Sequence, residues 1–547
     1  MLVYWRASQV SGNDWMTLSA LLPLLSESER FQELIHRLRA PRSREVLIAP
    51  DAPTPYAVGA LWRSLGAPIV VVTPQPESAR RLTAQLYTWL GDNAPIYQFA
   101  ENETLPYERL SPDRGATHQR LRSLAALEDR LAPRPPLVVV SALALSQKTL
   151  DPKTFRAGSY RVEVGDVSAP AKLVETWIEI GYEVEPTVEV PGTISRRGGI
   201  LDVFPVSSDV PYRIEFFGDE VDSIRVFDPE TQRSVEPAAV VTIVPAEETL
   251  PLRSDGGRVE DLITGLDFSG RAARVEDRIT EELGRVLRGE MREELSYYSG
   301  LFNHGSLFDF MPPGALLVTL RPSAIEEASR SANRRMEQLR ITKATRGEIP
   351  GGFPLPHLEW GLMADAMNGR ERSVAISPFG VDDDRLPGSA ERLPFEISSF
   401  SGGEAEKALE EIERRRAAGY RVVVLTQHAE RLAEMAHEKG LPHAVAKGPL
   451  KEPEPGTTIF VQGQLREGFV MAPIGESPLT LLTDREVFGV SKERRRIRRR
   501  PIRRGVKLSD LRPGVYVVHV EHGVGRFIGA EAAKDEGREY LLVEYAD

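Results

Sequence analysis

The chain has 547 residues, 41% of them hydrophobic and 27% charged. That length exceeds what one core supports and the composition suits soluble globular folds, so about three to five domains are expected. There is no cysteine, which excludes disulfides, thiolate zinc sites, iron-sulfur clusters and a cysteine nucleophile. The formal net charge of -11 argues against a surface that coats nucleic acid everywhere, so any DNA contact has to be local.

Met1 to Leu22 carries Arg6, Asp14 and Ser/Asn residues among its apolar positions, which interrupts any signal-peptide core. No run approaches the roughly 18 apolar residues that span a bilayer. The expectation is a cytoplasmic monomer with no membrane contact. The nine histidines are scattered; the nearest pair, His519 and His522, lies in a strand-like stretch beside glycine, and no metal site is expected.

In chain order, Val46 to Ala49, Ile69 to Thr73 and Leu137 to Val140 are β-branched apolar runs. They are separated by helix-like stretches at Ala57 to Leu65 and Gln119 to Leu131. Strands alternating with helices predict a parallel α/β layer. Near Val162 the pattern changes. A helix from about Lys172 to Ile180 is followed by extended stretches at Glu183 to Val190 and Gly199 to Phe204. Tyr212-Arg-Ile-Glu-Phe-Phe217 then turns at Gly218 and Asp219 into Val221 to Phe227, a hairpin of an antiparallel sheet. The switch marks an inserted α+β domain at 156–245, interrupting an α/β domain formed by 15–155 and 246–375. Residues 246–375 offer charged helical stretches, a Tyr297/Tyr298/Phe302 cluster and a strand at Ala315 to Thr319.

A helix at Glu404 to Ala418, a stop at Gly419, a strand at Arg421 to Thr426 and a helix at Glu430 to Lys439 predict a small separate α/β domain over 390–490. From Lys492 to Arg504, nine basic residues face one acid. Such a tract buries little apolar area, so 491–504 is expected to be a solvated linker. Arg494, Arg495, Arg496, Arg498, Arg499 and Arg500 offer weak phosphate contacts, but with no aromatic residue for base stacking the spacer role is favoured. A β-rich segment, Gly514 to Tyr545, follows.

Nucleotide hydrolysis requires a glycine-rich loop whose amides cradle phosphates, ending in Lys and Ser/Thr. After the first strand stands Ala49-Pro-Asp-Ala-Pro-Thr-Pro-Tyr56 instead, with three prolines lacking N–H groups and no lysine. Asp219-Glu-Val-Asp222 resembles an acidic magnesium box, but it opens a hairpin arm rather than ending a buried parallel strand.

Three segments carry a family resemblance. Phe99-Ala-Glu-Asn-Glu-Thr-Leu-Pro-Tyr-Glu-Arg-Leu-Ser-Pro-Asp113 is similar to a segment of bacterial transcription-repair coupling factors and of the excision-repair subunit UvrB. Arg197-Gly-Gly-Ile-Leu-Asp-Val-Phe-Pro205 and the hairpin through Arg225 resemble the second domain those proteins share, which binds UvrA. Tyr516-Val-Val-His-Val-Glu-His-Gly-Val-Gly-Arg-Phe527 resembles the start of the polymerase-interacting barrel that UvrB lacks. The resemblance therefore points to the coupling factors.

It implies a degenerate P-loop-like domain with an inserted UvrA-binding domain, a small α/β domain and, over 505–547, the opening of an SH3/Tudor-like β-barrel. The implied role is transcription-coupled nucleotide excision repair, docking UvrA and the β subunit of stalled RNA polymerase. Motor domains using ATP and magnesium on DNA follow in the full family. The expectation for these residues is no catalytic residue, no cofactor and no metal. Family positions for UvrA match Arg197, Arg213 and Phe217. Those for polymerase match Arg526 and Phe527, with Ala533 where some members carry leucine. On the residues alone, Phe217 as core and the arginines as solvated side chains remain the alternative. The rival functions are a UvrB-like ATP-dependent helicase subunit, or a nucleic-acid-binding protein acting through the linker.

Overall fold

The computed structural model describes residues 17–489 except 255, 270–272, 291–294, 380–389, 398–399, 401–402, 447, 449 and 475–476, together with 516–519, 523–532 and 539–545. By contacts the chain divides into Met1–Arg496 and Ile497–Asp547.

In the larger unit, strands β1 (Ser43–Ile48), β2 (Ile69–Thr73), β3 (Ile96–Phe99) and β4 (Leu137–Ser141) enter one parallel sheet. Its remaining members, β13 (Leu316–Leu320), β14 (Arg372–Ser377) and β15 (Glu391–Arg392), come from far downstream, and the order is β15-β1-β14-β13-β2-β4-β3. Every residue of β2 and β4 is buried, as expected of a parallel sheet covered on both faces. Strand β14 is absent from the expectations, and β15 joins this sheet although the next domain was expected to begin at 390.

Between the two halves of that sheet lie β5 (Tyr160–Glu163), β6 (Glu183–Val184), β7 (Thr193–Arg197), β8 (Ile200–Phe204), β9 (Tyr212–Phe217), β10 (Glu220–Phe227), β11 (Ser234–Ala238) and β12 (Val240–Ile243). Six form a sheet in the order β11-β10-β9-β8-β7-β6, antiparallel but for β6 beside β7, while β12 pairs with β5. Helix Pro170–Glu179 turns Leu173 and Trp177 toward the inner face, where Ile194, Leu201, Val203, Ile214, Val221 and Ile224 are buried. The architecture is thus mixed α/β and multidomain.

Residues 256–264, 273–287 and 295–302 are helices gathered around Tyr107, Tyr297, Tyr298 and Phe353. This places the Phe99 to Asp113 segment: Tyr107 is buried, with its hydroxyl donating to Phe353 O at 3.2 Å, and Arg109 pairs with Glu282 at 2.6 Å. Tyr107 has φ 64, a conformation uncommon for a bulky residue and held here by its surroundings.

Strands β16 (Phe395–Ile397), β17 (Arg421–Thr426), β18 (Ala444–Val445), β19 (Thr458–Gln462), β20 (Phe469–Ile474) and β21 (Ser477–Thr483) form a sheet ordered β16-β20-β21-β17-β19-β18. One face is covered by helices Ala405–Ala417 and Ala429–Glu438. The other face, with Val423, Leu425, Phe469 and Leu481, is buried in the same apolar cluster as Tyr56, Leu61 and Trp89. Tyr56 stacks edgewise on Trp89 at 4.9 Å and lies 5.6 Å from Phe469, and its hydroxyl donates to Leu21 O at 2.8 Å. This region therefore has its own sheet without being separate. A strand apolar on both faces needs two covers, and the helices supply one.

In the smaller unit β22 (Tyr516–His519), β23 (Gly523–Ala532) and β24 (Glu539–Tyr545) make an antiparallel meander, with a bulge between Phe527 and Gly529. Among the described residues no helix is long and apolar enough to cross a membrane.

Candidate protein-docking site

The outer face of the six-stranded sheet is best described in rows across its strands, because directly paired residues project to the same side. At the inner end Phe204 and Phe227 are buried with Val188. The next row pairs Ser195 with Asp202, Asp202 with Arg213, and Arg213 with Arg225. Asp202 is only 2% exposed. Arg213 answers it with both prongs of its fork: Nε donates to Oδ1 at 2.7 Å and Nη2 to Oδ2 at 2.9 Å. The third donor, Nη1, reaches Gln232 O at 3.3 Å, and the guanidinium lies 4.9 Å from the Phe227 ring. Hydrogen bonding to Asp202 holds the Arg213 guanidinium above the ordinary arginine range. A planar guanidinium is the group that matches a carboxylate in this way.

The row beyond aligns Arg197, Ile200, Glu215 and Ser223. Glu215 accepts from Ser223 Oγ at 2.9 Å. The Arg197 guanidinium approaches Asp202 to 3.8 Å, and its side chain remains 56% exposed. At the tip Phe217 pairs with Glu220 across a two-residue turn in which Gly218 supplies the positive φ of 63, as such hairpins demand. Phe217 is 82% exposed.

Of the residues singled out from the sequence, then, Arg197, Arg213 and Phe217 share one face, but they stand differently on it. Phe217 and Arg197 are open, whereas Arg213 is largely spent inside the sheet. Phe217 as a core residue is excluded. The residue that sequence reasoning missed is Asp202. Its signal was present: a carboxylate in the middle of the apolar run Ile200 to Phe204 must find a cation if it is to be buried.

The other expected sites divide as follows. In the smaller unit Arg526 is exposed and pairs with Glu544 at 3.1 Å. Phe527, by contrast, is buried, so its ring is not offered to a partner. Its neighbour Ile528 is an exposed apolar side chain. Ala533 and the linker arginines Arg494, Arg495, Arg496, Arg498, Arg499 and Arg500 lie outside the described residues. Among the described residues no cluster of His, Asp and Glu has the grouping of a metal site. Asp219 and Glu220 sit exposed at the hairpin turn.

The loop after β1 stands where a phosphate-binding loop would follow the first strand of the sheet. The Thr54 N–H is engaged by Asp51 O at 3.1 Å, and Pro53 and Pro55 flank it at the start of helix Thr54–Leu65. Asp51 itself accepts from Arg321 Nε at 3.0 Å. The helix start thus presents a carboxylate and two prolines where anion binding needs free donors.

Residues 160–248, which contain the whole face, match the family described as the UvrB interaction domain. Residues 511–547 match the CarD-like/TRCF RID domain. The pairing of these two in one chain decides between the relatives. The chain is similar to the N-terminal part of transcription-repair coupling factors. It is 30% identical to the transcription-repair-coupling factor of Myxococcus xanthus over 94% of this chain and 45% of that protein. The counterpart from Bacillus subtilis is 26% identical over 95% of this chain and 45% of its own length, and that from Haemophilus influenzae 26% over 87% and 41%. The chain spans a little under half the length of the coupling factors it matches.

Proposed function

We propose that this chain is a docking module of transcription-coupled nucleotide excision repair, binding UvrA through the face that carries Arg197, Arg213 and Phe217. The observation that carries the reading is Phe217, a large aromatic held almost fully in solvent at a hairpin tip, on the same sheet face as the exposed Arg197 guanidinium and within the stretch that matches the UvrB interaction domain. Buried aromatic and arginine anchors dominate protein interfaces. In this reading Arg197 and Phe217 touch the partner, and Arg213 holds the surface that presents them.

The CarD-like segment supplies the contact to the RNA polymerase β subunit, with Arg526 as the exposed member of the expected pair. Its three strands are read as the opening of an SH3/Tudor-like barrel. Residues 15–155 and 246–375 are read as one degenerate P-loop-like domain interrupted by the UvrA-binding domain at 156–245, with a small α/β domain over 390–490. The basic tract 491–504 is a spacer with incidental affinity for DNA. No catalytic residue, nucleotide or metal is assigned to these residues; docking is preferred to the UvrB-like helicase reading because prolines and Asp51 stand after β1 where a phosphate loop would need glycines and a lysine, and the setting is cytoplasmic.

The test is a titration of purified UvrA against the chain and its Phe217→Ala variant. The variant should bind about 1 to 3 kcal/mol more weakly, the usual loss for an interface anchor, while its thermal unfolding is unchanged. Equal affinity for both would remove the site.

A further inference from the structure

The docking face continues past Phe217 onto a segment that precedes the sheet in sequence. Residues 165–168 run alongside the free edge of β10 at the hairpin tip. The Gly165 N–H donates to Val221 O and the Val221 N–H to Asp166 O, both at 2.8 Å, and the Ser168 N–H donates to Asp219 O at 2.7 Å. Within this short ladder Val167 is the bridge partner of Glu220, which is itself the partner of Phe217. Paired residues project to one side, so Phe217, Glu220 and Val167 form a single row across β9, β10 and the bridging segment beside them. At about 4.8 Å per strand the row places Val167 about 10 Å from Phe217. Val167 is 77% exposed. Ile200, another exposed apolar residue, stands one row inward and diagonal to Phe217.

A lone exposed valine needs no explanation. A valine pinned by three backbone hydrogen bonds into the same row as an exposed phenylalanine, with an isoleucine behind, is a different case. It makes the tip a preorganised apolar edge that costs little further ordering on association. We propose that Val167 is a contact residue for UvrA, and that the partner meets Phe217 and Val167 with apolar side chains on either side of a donor to the Glu220 carboxylate, Arg197 facing a carboxylate beside it. The choice of occupant follows from continuity with Phe217 and so rests on the docking reading above.

The experiment uses the full chain and purified UvrA, with Val167→Asp, Val167→Ser, Phe217→Ala and, as a remote control, Leu362→Asp on helix Trp360–Asn368. Light scattering of each variant alone reports self-association. Val167→Asp should weaken UvrA binding about tenfold or more, Val167→Ser should weaken it less, and Leu362→Asp should bind like the parent, with melting unchanged in all. If Phe217→Ala loses affinity and neither Val167 variant does, the row ends at Phe217 and the proposal fails while the docking reading stands. If Phe217→Ala binds like the parent, the docking reading falls and takes the proposal with it. If Val167→Asp changes only self-association, the edge belongs to a contact between copies of this chain, which also overturns the proposal.

Discussion

Replacing Arg213 with alanine removes two donors to Asp202, leaving a carboxylate 2% exposed with Arg197 at 3.8 Å. Breaking a buried ion pair from one side costs about 3 to 5 kcal/mol, because the remaining charge is left without compensation. Arg197 can swing inward, so the lower end applies, and about 3 kcal/mol is expected. A multidomain chain does not unfold in two states, so the readout should be local. Amide hydrogen exchange over β8 and β9 should accelerate by roughly two decades, since each decade is about 1.4 kcal/mol, while β17 in the other sheet stays as protected as before. Asp202→Asn in the Arg213→Ala background should restore much of the protection, because a neutral amide is far cheaper to bury than a carboxylate. Parental exchange in the single variant would refute the ion pair as a structural element of the face. Any loss of UvrA binding in Arg213→Ala would then have to come from a direct contact with UvrA.

Two further outcomes follow from buried and blocked groups elsewhere. His357 is held neutral by burial and by the nearby charges of Arg120 and Lys148, which push its pKa down to about 4 from 6.5. The unfolded chain therefore takes up this proton first, so stability should fall by about 3 kcal/mol as the pH drops from 6.5 to 4. His357→Gln should flatten that part of a melting-temperature profile, and an unchanged slope would place the titration elsewhere. At the loop after β1, a fluorescent ATP analogue should show no saturable binding up to about 1 mM in magnesium buffer, because Asp51, Pro53 and Pro55 stand where phosphate donors would be needed. Saturation that competes with unlabelled ATP would return the helicase reading to contention.

What could be read in advance followed the range of the interaction. The hairpin at Phe217 and Gly218 was legible because a two-residue turn and its alternation are local. The strands Ile69–Thr73 and Leu137–Ser141 were legible because full burial writes a continuous β-branched run. Strand Arg372–Ser377 was not, since its polar ends and short apolar middle resemble many loops, and only its slot between β1 and β13 makes it a strand. The helices around Tyr107 were obscure for a related reason. Their apolar face is completed by Tyr107 and Phe353, residues far away in sequence. On the docking face, Phe217 and Arg197 were readable as candidates, whereas the confinement of Arg213 depends on Asp202 lying opposite it on a neighbouring strand. Spacing within one segment cannot report that.

The interleaving of the first sheet has a consequence during biosynthesis. Both neighbours of Ser43–Ile48 come from residues 372 onward, so the ribosome delivers this strand long before either partner exists. At about 5 to 20 residues per second the interval is roughly 15 seconds to a minute. Throughout it, Val46, Leu47 and Ile48 belong to an unpaired strand whose edges invite other chains. The inserted domain, whose strands pair among themselves over residues 160–243, is complete well before then. The nascent protein thus has its candidate docking face complete while its oldest strand still waits for its partners.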